Sequence, residues 1–459
     1  MNNIVYSVNS RPPFGKIILS AFQQLLAILA ATIAVPAIIG NGMSQSAALF
    51  GAGVGTLIYL LFTRMKSPVF LGSSFAFLGS MAAAFSGATT VAMGYSGLIM
   101  GACLAGIVYC IFSLLVKLFG TGWINRLMPP IVIGPTVAII GLSLAPNAIS
   151  DLRLGNVIEE GVVLANPNVC VLIGVLTLIA IVVFSVFAKT SVRMFPFIVG
   201  IVVGYAIAAI LTLIGNLNDF DQIKIIDFSV FKNFQWVPDF TFLQAFKGFK
   251  DFSSAGEFFK YFGAIAVSYI PVSFVVFAEH IADHKNLSSI IGEDLLTKPG
   301  LHRTLLGDGL GSFVGSVFGG CPNTTYGESI ACVAISGNAS SIVTLATALL
   351  AIGVSFFGPF VTFLASIPKC VMGGVCIALY GFIAVSGLKM LREVDLNENK
   401  NIFVISTILI TGVGGLVLQF NHIEIRTVAC ALVLGIIMNL LVNYKKKEKP
   451  NEEEENNGV

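Results

Sequence analysis

Apolar runs of about 20 residues recur along almost the whole chain, and a helix of that length crosses a hydrocarbon core about 30 Å thick. About fourteen runs can be marked, beginning near Ile17, Ala47, Val69, Val91, Pro130, Val169, Met194, Tyr261, Thr304, Pro322, Ser340, Lys369, Asn401 and Thr427. Hydrocarbon offers no partner to a backbone N–H or C=O, so such a chain must satisfy every spanning segment internally. Composition agrees: 56% of residues are hydrophobic and 11% charged, against roughly 25% charged in a soluble domain. A net charge of +2 is too small to suggest a nucleic-acid partner. The eight cysteines contain no CxxC pair and lie mostly in apolar runs, where they read as small packing residues. The chain is expected to be an all-α polytopic membrane protein with about 14 transmembrane segments.

Charged loops set the orientation. Residues 1–16 are polar and hold Arg11 and Lys16, and the apolar run after them is long, which reads as a first spanning helix rather than a cleaved leader. With that end in the cytoplasm, the basic positions fall on one side: Arg64 and Lys66, Lys117 and Arg126, Lys189 and Arg193, Lys285 with Lys298 and Arg303, Lys389 with Arg392 and Lys400, and Lys445 to Lys447. The opposite loops, such as 40–45 and 86–90, carry almost no charge. This places the protein in the cell (inner) membrane with both termini cytoplasmic. The long external segment 215–260 is rich in Phe and holds Trp236, which suggests an amphipathic stretch at the interface. The mixed-charge tail 444–459 is expected to be disordered, its basic part suited to anionic membrane lipid.

Two runs are poor candidates for an unbroken lipid-facing helix. The third reads Leu71-Gly-Ser-Ser-Phe75-Ala-Phe77-Leu-Gly-Ser80, and the tenth contains Pro322-Asn-Thr-Thr-Tyr326-Gly327-Glu328-Ser329. Non-helical backbone at membrane depth is tolerated only where protein or a water-filled cavity satisfies it. Each is the third run in a half of seven, and an odd-numbered half reverses the orientation of its repeat, the signature of a 7+7 inverted repeat. Pro129-Pro-Ile-Val-Ile-Gly134 and Pro368-Lys-Cys-Val-Met-Gly373 echo one another at the fifth and twelfth runs. A binding site is expected where the two broken segments meet, because half-helix N-termini present free N–H groups and positive dipole ends.

Two glutamates stand in these interrupted regions. A charge at the centre of a spanning helix costs about 2.5–3.5 kcal/mol on insertion scales, so intramembrane acids usually face a partner or a cavity. Glu328 follows the break in the tenth run, where it either caps a half-helix or lines a pocket. Glu279 ends an apolar run with no basic residue inside a span to pair with, so it reads as a substrate or proton ligand, an interhelical bond, or an acid at the cytoplasmic mouth. It becomes a midplane residue only if its helix continues through Leu287 and Ile291. His280 and His284 share the i, i+4 spacing of zinc-binding HxxxH patterns, but Ala282 occupies the place of the histidine in a Glu-x-x-His site, and no metal is expected. Asp283, His284 and Asp308 are expected near the cytoplasmic mouth, and His422 in an external turn.

At these residues the chain resembles the nucleobase–ascorbate transporter family (nucleobase:cation symporter-2), in its bacterial uracil permease branch. The matching runs are Ser10-Arg-Pro-Pro13, Leu71 to Phe77, Gly120-Thr-Gly-Trp123, Ala278-Glu-His280, Pro299-Gly-Leu-His-Arg303, Pro322 to Glu328, and Val371-Met-Gly-Gly-Val375 followed by Tyr380-Gly381. The resemblance implies a core domain (17–120 and 261–366) and a gate domain (121–214 and 367–443) that forms a homodimer contact. It implies substrate binding by Phe75, Glu279, Tyr326, Gly327, Glu328 and Tyr380, with Glu279 accepting from ring N–H groups and the Phe75 backbone meeting a carbonyl oxygen. Proton coupling would fall to Glu279, Glu328 and Asp283, with the proton as coupling ion and no cofactor. Two features depart from the family pattern: Ser329-Ile-Ala331 follows Glu328, and Asp283 stands where a histidine is usual.

The implied activity is uracil import by proton symport, a transport function rather than an enzymatic one. Alternatives are a xanthine or other purine permease of the same family, a facilitator without proton coupling, an anion transporter, and a metalloenzyme built on His280 and His284. Two acids facing the site weigh against an anion.

Overall fold

A computed structural model describes residues 4–123, 129–159, 162–188, 196–232, 234–420, 423–425 and 427–443. Arg126, Lys189, Arg193, His422 and the tail 444–459 lie outside the described residues. The chain opens with α1 (Phe14–Ile39), α2 (Gln45–Phe62), β1 (Leu71–Ser73), a 3-10 turn over Phe75–Phe77, α3 (Leu78–Ser86) and α4 (Val91–Phe119). Next come α5 (Pro130–Ser143), α6 (Ala145–Asp151), the hairpin of β2 (Ile158–Glu159) and β3 (Val162–Val163), α7 (Pro167–Phe187) and α8 (Pro196–Leu217). The second half holds α9 (Thr241–Gly248), α10 (Ala255–Ile291), α11 (Leu301–Gly319), β4 (Asn323–Thr325), α12 (Gly327–Ser336), α13 (Ser341–Ser355) and α14 (Gly358–Ser366). It closes with α15 (Lys369–Lys389), α16 (Asn399–Val413), the hairpin of β5 (Leu418–Phe420) and β6 (Ile423–Ile425), and α17 (Thr427–Val442).

Local chemistry marks many helix ends. The side chains of Ser44, Thr90, Asn166 and Ser254 accept from Ala47, Met93, Asn168 and Glu257 N–H, each satisfying a donor the helix leaves free. Gly292, left-handed at φ 72°, ends α10. Among the described residues, eight helices are long and apolar enough to cross a membrane, and α13 with α14, bent by 83°, makes a ninth if taken as one span. Shorter apolar helices cover Phe75–Ser86, Gly327–Ser336, Asn399–Val413 and Thr427–Val442. The chain is thus a multi-pass helical membrane protein. Helices α7 and α8 keep only 28% and 33% of their apolar windows inside the fold, leaving long apolar faces outward as lipid requires.

The third and tenth runs are interrupted as expected, and the interruptions pair with each other. Strand β1 runs antiparallel to β4, with Leu71 opposite Thr325, Gly72 opposite Thr324 and Ser73 opposite Asn323. Ser74 N–H donates to the Pro322 carbonyl at 2.8 Å, extending the ladder by one bond. All six paired residues are buried. Each strand then enters a short helix, β1 through the Phe75–Phe77 turn into α3 and β4 into α12. The amphipathic stretch expected within 215–260 is α9, which buries Thr241, Ala245 and Gly248 against α4 and leaves Leu243 and Phe246 exposed.

The crossing is braced by α2 and α11, which meet through glycine. A Cβ on Gly51 would lie 2.3 Å from the Gly315 carbonyl oxygen, and one on Gly315 would lie 2.2 Å from the Asn323 amide nitrogen. That amide donates to the Gly51 carbonyl at 3.2 Å, so β4 is tied to the place where the two backbones touch. Small residues let spanning helices approach this closely where no hydrophobic effect drives them together. Gly315→Val should therefore destabilise the protein by at least about 1–3 kcal/mol, the range for overpacking. Thermal melting of the detergent-solubilised protein measures it, and a wild-type midpoint would contradict the packing described.

Candidate functional site

The paired strands bring together residues far apart in the sequence. The Tyr326 hydroxyl donates to the Ser73 carbonyl at 2.9 Å, and its ring lies where a Cβ on Gly72 would sit 2.4 Å away. Only glycine admits that ring, so Gly72 and Tyr326 set the crossing as a unit. Gly327 then starts α12 and is exposed amid buried neighbours, with nothing within 4 Å of a Cβ placed on it. Glu328 is half-buried in the first turn, beside its own backbone N–H. An acid in the first turn stands at the positive end of the α12 dipole.

Helix α10 runs unbroken through Leu287 to Ile291, meeting the condition that carries Glu279 inside the protein. Glu279 and Asp283, one turn apart, share a face and are half-buried. Asp283 Oδ2 accepts from Thr325 Oγ1 at 2.6 Å, so the acid standing in the place of a histidine is tied to β4, next to Tyr326. Glu279, Asp283, Asp308 and Glu328 lie close enough to interact electrostatically. Phe75, at the end of β1, packs edge-to-face on Tyr380 of α15 at 5.7 Å and 81°. A cavity of about 630 Å³ reaches Phe75, bounded also by Ser80, Ser143, Asn147 and Thr427. A second, about 790 Å³ beside Ser44 and Trp236, touches none of these residues. The structure thus gathers Phe75, Glu279, Asp283, Tyr326, Gly327, Glu328 and Tyr380 around one crossing.

On the neighbouring face of α10, Asp308 and His284, the acid and imidazole expected near the cytoplasmic mouth, are enclosed by protein at 1% and 0% exposed. His280, also 0% exposed, places Nδ1 2.7 Å from Asp308 Oδ2 and Nε2 2.9 Å from Thr304 Oγ1. His284 Nδ1–H donates to the His280 carbonyl at 2.8 Å, and its Nε2 lies 2.7 Å from the Tyr59 hydroxyl. Both imidazoles are committed to protein partners rather than to a shared metal position. A further buried network, which no local sequence pattern marks, joins Gln24 of α1 to Ser329 at 2.8 Å and to Thr347 of α13 at 2.8 Å; the Phe70 N–H donates to the same Ser329 hydroxyl at 3.1 Å. Ser329, one of the departures from the family pattern, therefore bonds both broken segments. The available signal was the glycine spacing around Asp308: Gly307, Gly309, Gly311 and Gly315 mark α11 as an interior helix packed on its neighbours, so an acid among them is enclosed.

Two interrupted segments meeting at a site lined with intramembrane acids is the construction of a secondary transporter. The comparisons agree. A family profile of the xanthine/uracil type, described as a permease family, matches residues 15–420. The chain is 36% identical over 459 residues to the uracil permease of Bacillus caldolyticus, covering 99% of each chain, and 35% identical over 450 residues to that of Bacillus subtilis (strain 168), covering 96% of each. The fold matches the transmembrane domain of the cyanobacterial bicarbonate transporter BicA at TM-score 0.60 and 17% identity, over 92% of this chain and 96% of the other. The chain belongs to this permease family, whose members are transporters and not enzymes.

Removing the bond that closes the crossing gives a direct check. Tyr326→Phe should cost about 0.5–1.5 kcal/mol of stability, since the Ser73 carbonyl loses its side-chain donor. Denaturation of the purified protein measures this, and no change would mean the strands alone hold the crossing.

Proposed function

We propose that the protein imports uracil across the cell (inner) membrane together with a proton. The reading is carried by one observation: Glu279 and the Gly327–Glu328 start of α12 converge on the β1–β4 crossing. Near-full-length similarity to proteins named uracil permease supports the choice of substrate. Uracil offers two ring N–H donors and two carbonyl acceptors. On this reading the Glu279 carboxylate accepts from ring N–H groups, the N–H groups at Phe75 and the start of α12 meet carbonyl oxygens, and Tyr326 and Tyr380 shape the walls. On the same reading Glu279, Glu328 and Asp283 are the acids beside the crossing through which proton and substrate affect one another. Membrane lipid and the coupling proton complete the set of partners, and no cofactor takes part.

The architecture we assign is fourteen segments in two inverted halves of seven, with both termini cytoplasmic. Its support is that β1–α3 and β4–α12 occupy the third place in each half and cross as a pair. The core comprises 17–120 and 261–366, the gate 121–214 and 367–443, and the gate carries a homodimer contact. Helix packing supports this division, since α11 lies against α2 and α4 while α15 lies against α5 and α7. Phe75 and Tyr380 would then touch across the core–gate boundary, where movement exposes the site to each side in turn.

Uptake of radiolabelled uracil by the reconstituted protein tests the assignment. A proton gradient should drive accumulation and a protonophore should abolish it; uptake that persists unchanged leaves a facilitator. Competition by xanthine, hypoxanthine and uric acid separates uracil from purine transport, because a xanthine/uracil family profile spans both substrates. Glu279→Gln should weaken uracil binding by about 1.5–3 kcal/mol, the worth of a hydrogen bond to a charged group, or roughly 10–150-fold in Kd. A variant that binds with wild-type affinity would remove Glu279 from its role.

A further inference from the structure

His280, Asp308 and Thr304 form a closed hydrogen-bonded set in which the number of protons can be counted. Thr304 Oγ1 lies 3.0 Å from the Leu301 carbonyl and 2.9 Å from His280 Nε2, and its hydroxyl has one hydrogen for the two. When that hydrogen points to the Leu301 carbonyl, Nε2 must carry a proton and donate to Thr304. The 2.7 Å contact between His280 Nδ1 and Asp308 Oδ2 then holds a second proton, on one atom or the other, and the pair is neutral overall. When the Thr304 hydroxyl turns to Nε2 instead, Nδ1–H donates to an ionised Asp308 and the pair carries one negative charge. The two arrangements differ by one proton and one hydroxyl rotation, and no heavy atom has to move.

We propose that this triad stores the coupled proton, apart from the carboxylates that face the substrate. The inference rests on the reading of the protein as a proton-coupled uracil permease and names where that proton resides. Burial supports it, because His280, Asp308 and Thr304 are each no more than 1% exposed, so a net charge there is not screened by water. Position supports it too. His280 is the residue after Glu279 on α10, so a change of one charge at the triad is felt at the substrate-facing acid one position away.

The surrounding groups bear on the titration. On α10 itself stand Glu279, Asp283 and His284, the last stacked on His280 with ring centroids 4.0 Å apart. Two imidazolium rings at that distance would repel, so at most one of them is charged. From α2, Tyr59 bonds His284; from α4, Tyr109 packs edge-on to His280 and its buried hydroxyl has no hydrogen-bond partner among the described residues; from α12 comes the Glu328 carboxylate. With a proton on the triad, the acids at the crossing face one negative charge fewer. Glu279 can then hold its own charge and accept from the ring N–H groups. Release of the proton restores the repulsion and favours release of the base.

The test uses the full-length protein in proteoliposomes with radiolabelled uracil, comparing accumulation driven by a proton gradient with counterflow in its absence. Asp308→Asn should keep counterflow within about threefold of wild type and lose gradient-driven accumulation by about tenfold or more. Accumulation by Asp308→Asn with the wild-type dependence on the gradient overturns the proposal. Loss of counterflow in a variant that elutes as folded protein overturns it as well, because Asp308 would then serve binding. A wild-type protein that accumulates nothing under a gradient defeats the coupled-permease reading itself, before any variant is made. Should Asp308→Asn fail to fold, the hydroxyl carries the test. Thr304→Val should move the midpoint of the uptake–pH profile and Thr304→Ser should restore it, whereas an unmoved midpoint in Thr304→Val rejects the triad.

Discussion

The antiparallel pairing of β1 with β4 is the interaction on which the site depends. Each segment leaves helical geometry inside the protein, where a free N–H or C=O has no water to turn to. Neither strand is stable alone at three residues, and each supplies the other's partners. The pairing is in turn held by the Tyr326–Ser73 bond, by Asn323 reaching the Gly51 carbonyl, and by Ser329 accepting from Phe70 N–H. Each strand leads into a short helix, so two helix starts, each with N–H donors the helix itself leaves free, flank the crossing.

Helix α10 brings two acids to the crossing, and its two faces have different partners. Glu279 and Asp283 turn toward β4 and α12, where Asp283 is fastened by Thr325. His280 and His284 turn toward α11 and α2, where their ring nitrogens meet Asp308, Thr304 and Tyr59. One helix therefore joins the acids at the crossing to an enclosed His–Asp pair. On the proposed mechanism this is the physical link between proton and substrate: a charge gained or lost on one face alters what the other face can hold.

Much of this was legible in the sequence, for stated reasons. Apolar run length gave the helices, and Gly and hydroxyl residues at Leu71–Ser80 and Pro322–Ser329 marked the two breaks, because such residues tolerate non-helical backbone. Glu279 and Glu328 stood out because charge inside an apolar run is costly. The depth of Glu279 hung on whether its helix passed His284; it does, since Leu287 is buried and Gly292 supplies the stop. Less legible were the contacts across α11. Asp308 looked interfacial because it lies near the start of the ninth run, whereas the glycines around it let α2 and α4 close over it. Gln24 and Thr347 gave no local signal at all, since a buried amide or hydroxyl is recognised only once its partners are known.

On the proposed function, substrate occupies the crossing of the third and tenth segments. Gly327 permits a direct measurement, because it is exposed at the start of α12 and a side chain there meets nothing within 4 Å. A Gly327→Cys variant, with other reactive cysteines replaced, can be labelled by a membrane-permeant maleimide with and without uracil. Saturating uracil should protect the thiol, and a nucleobase that is not transported should leave the labelling rate unchanged. Labelling of Gly327→Cys that proceeds at the same rate with saturating uracil as without it would mean that substrate does not occupy this crossing.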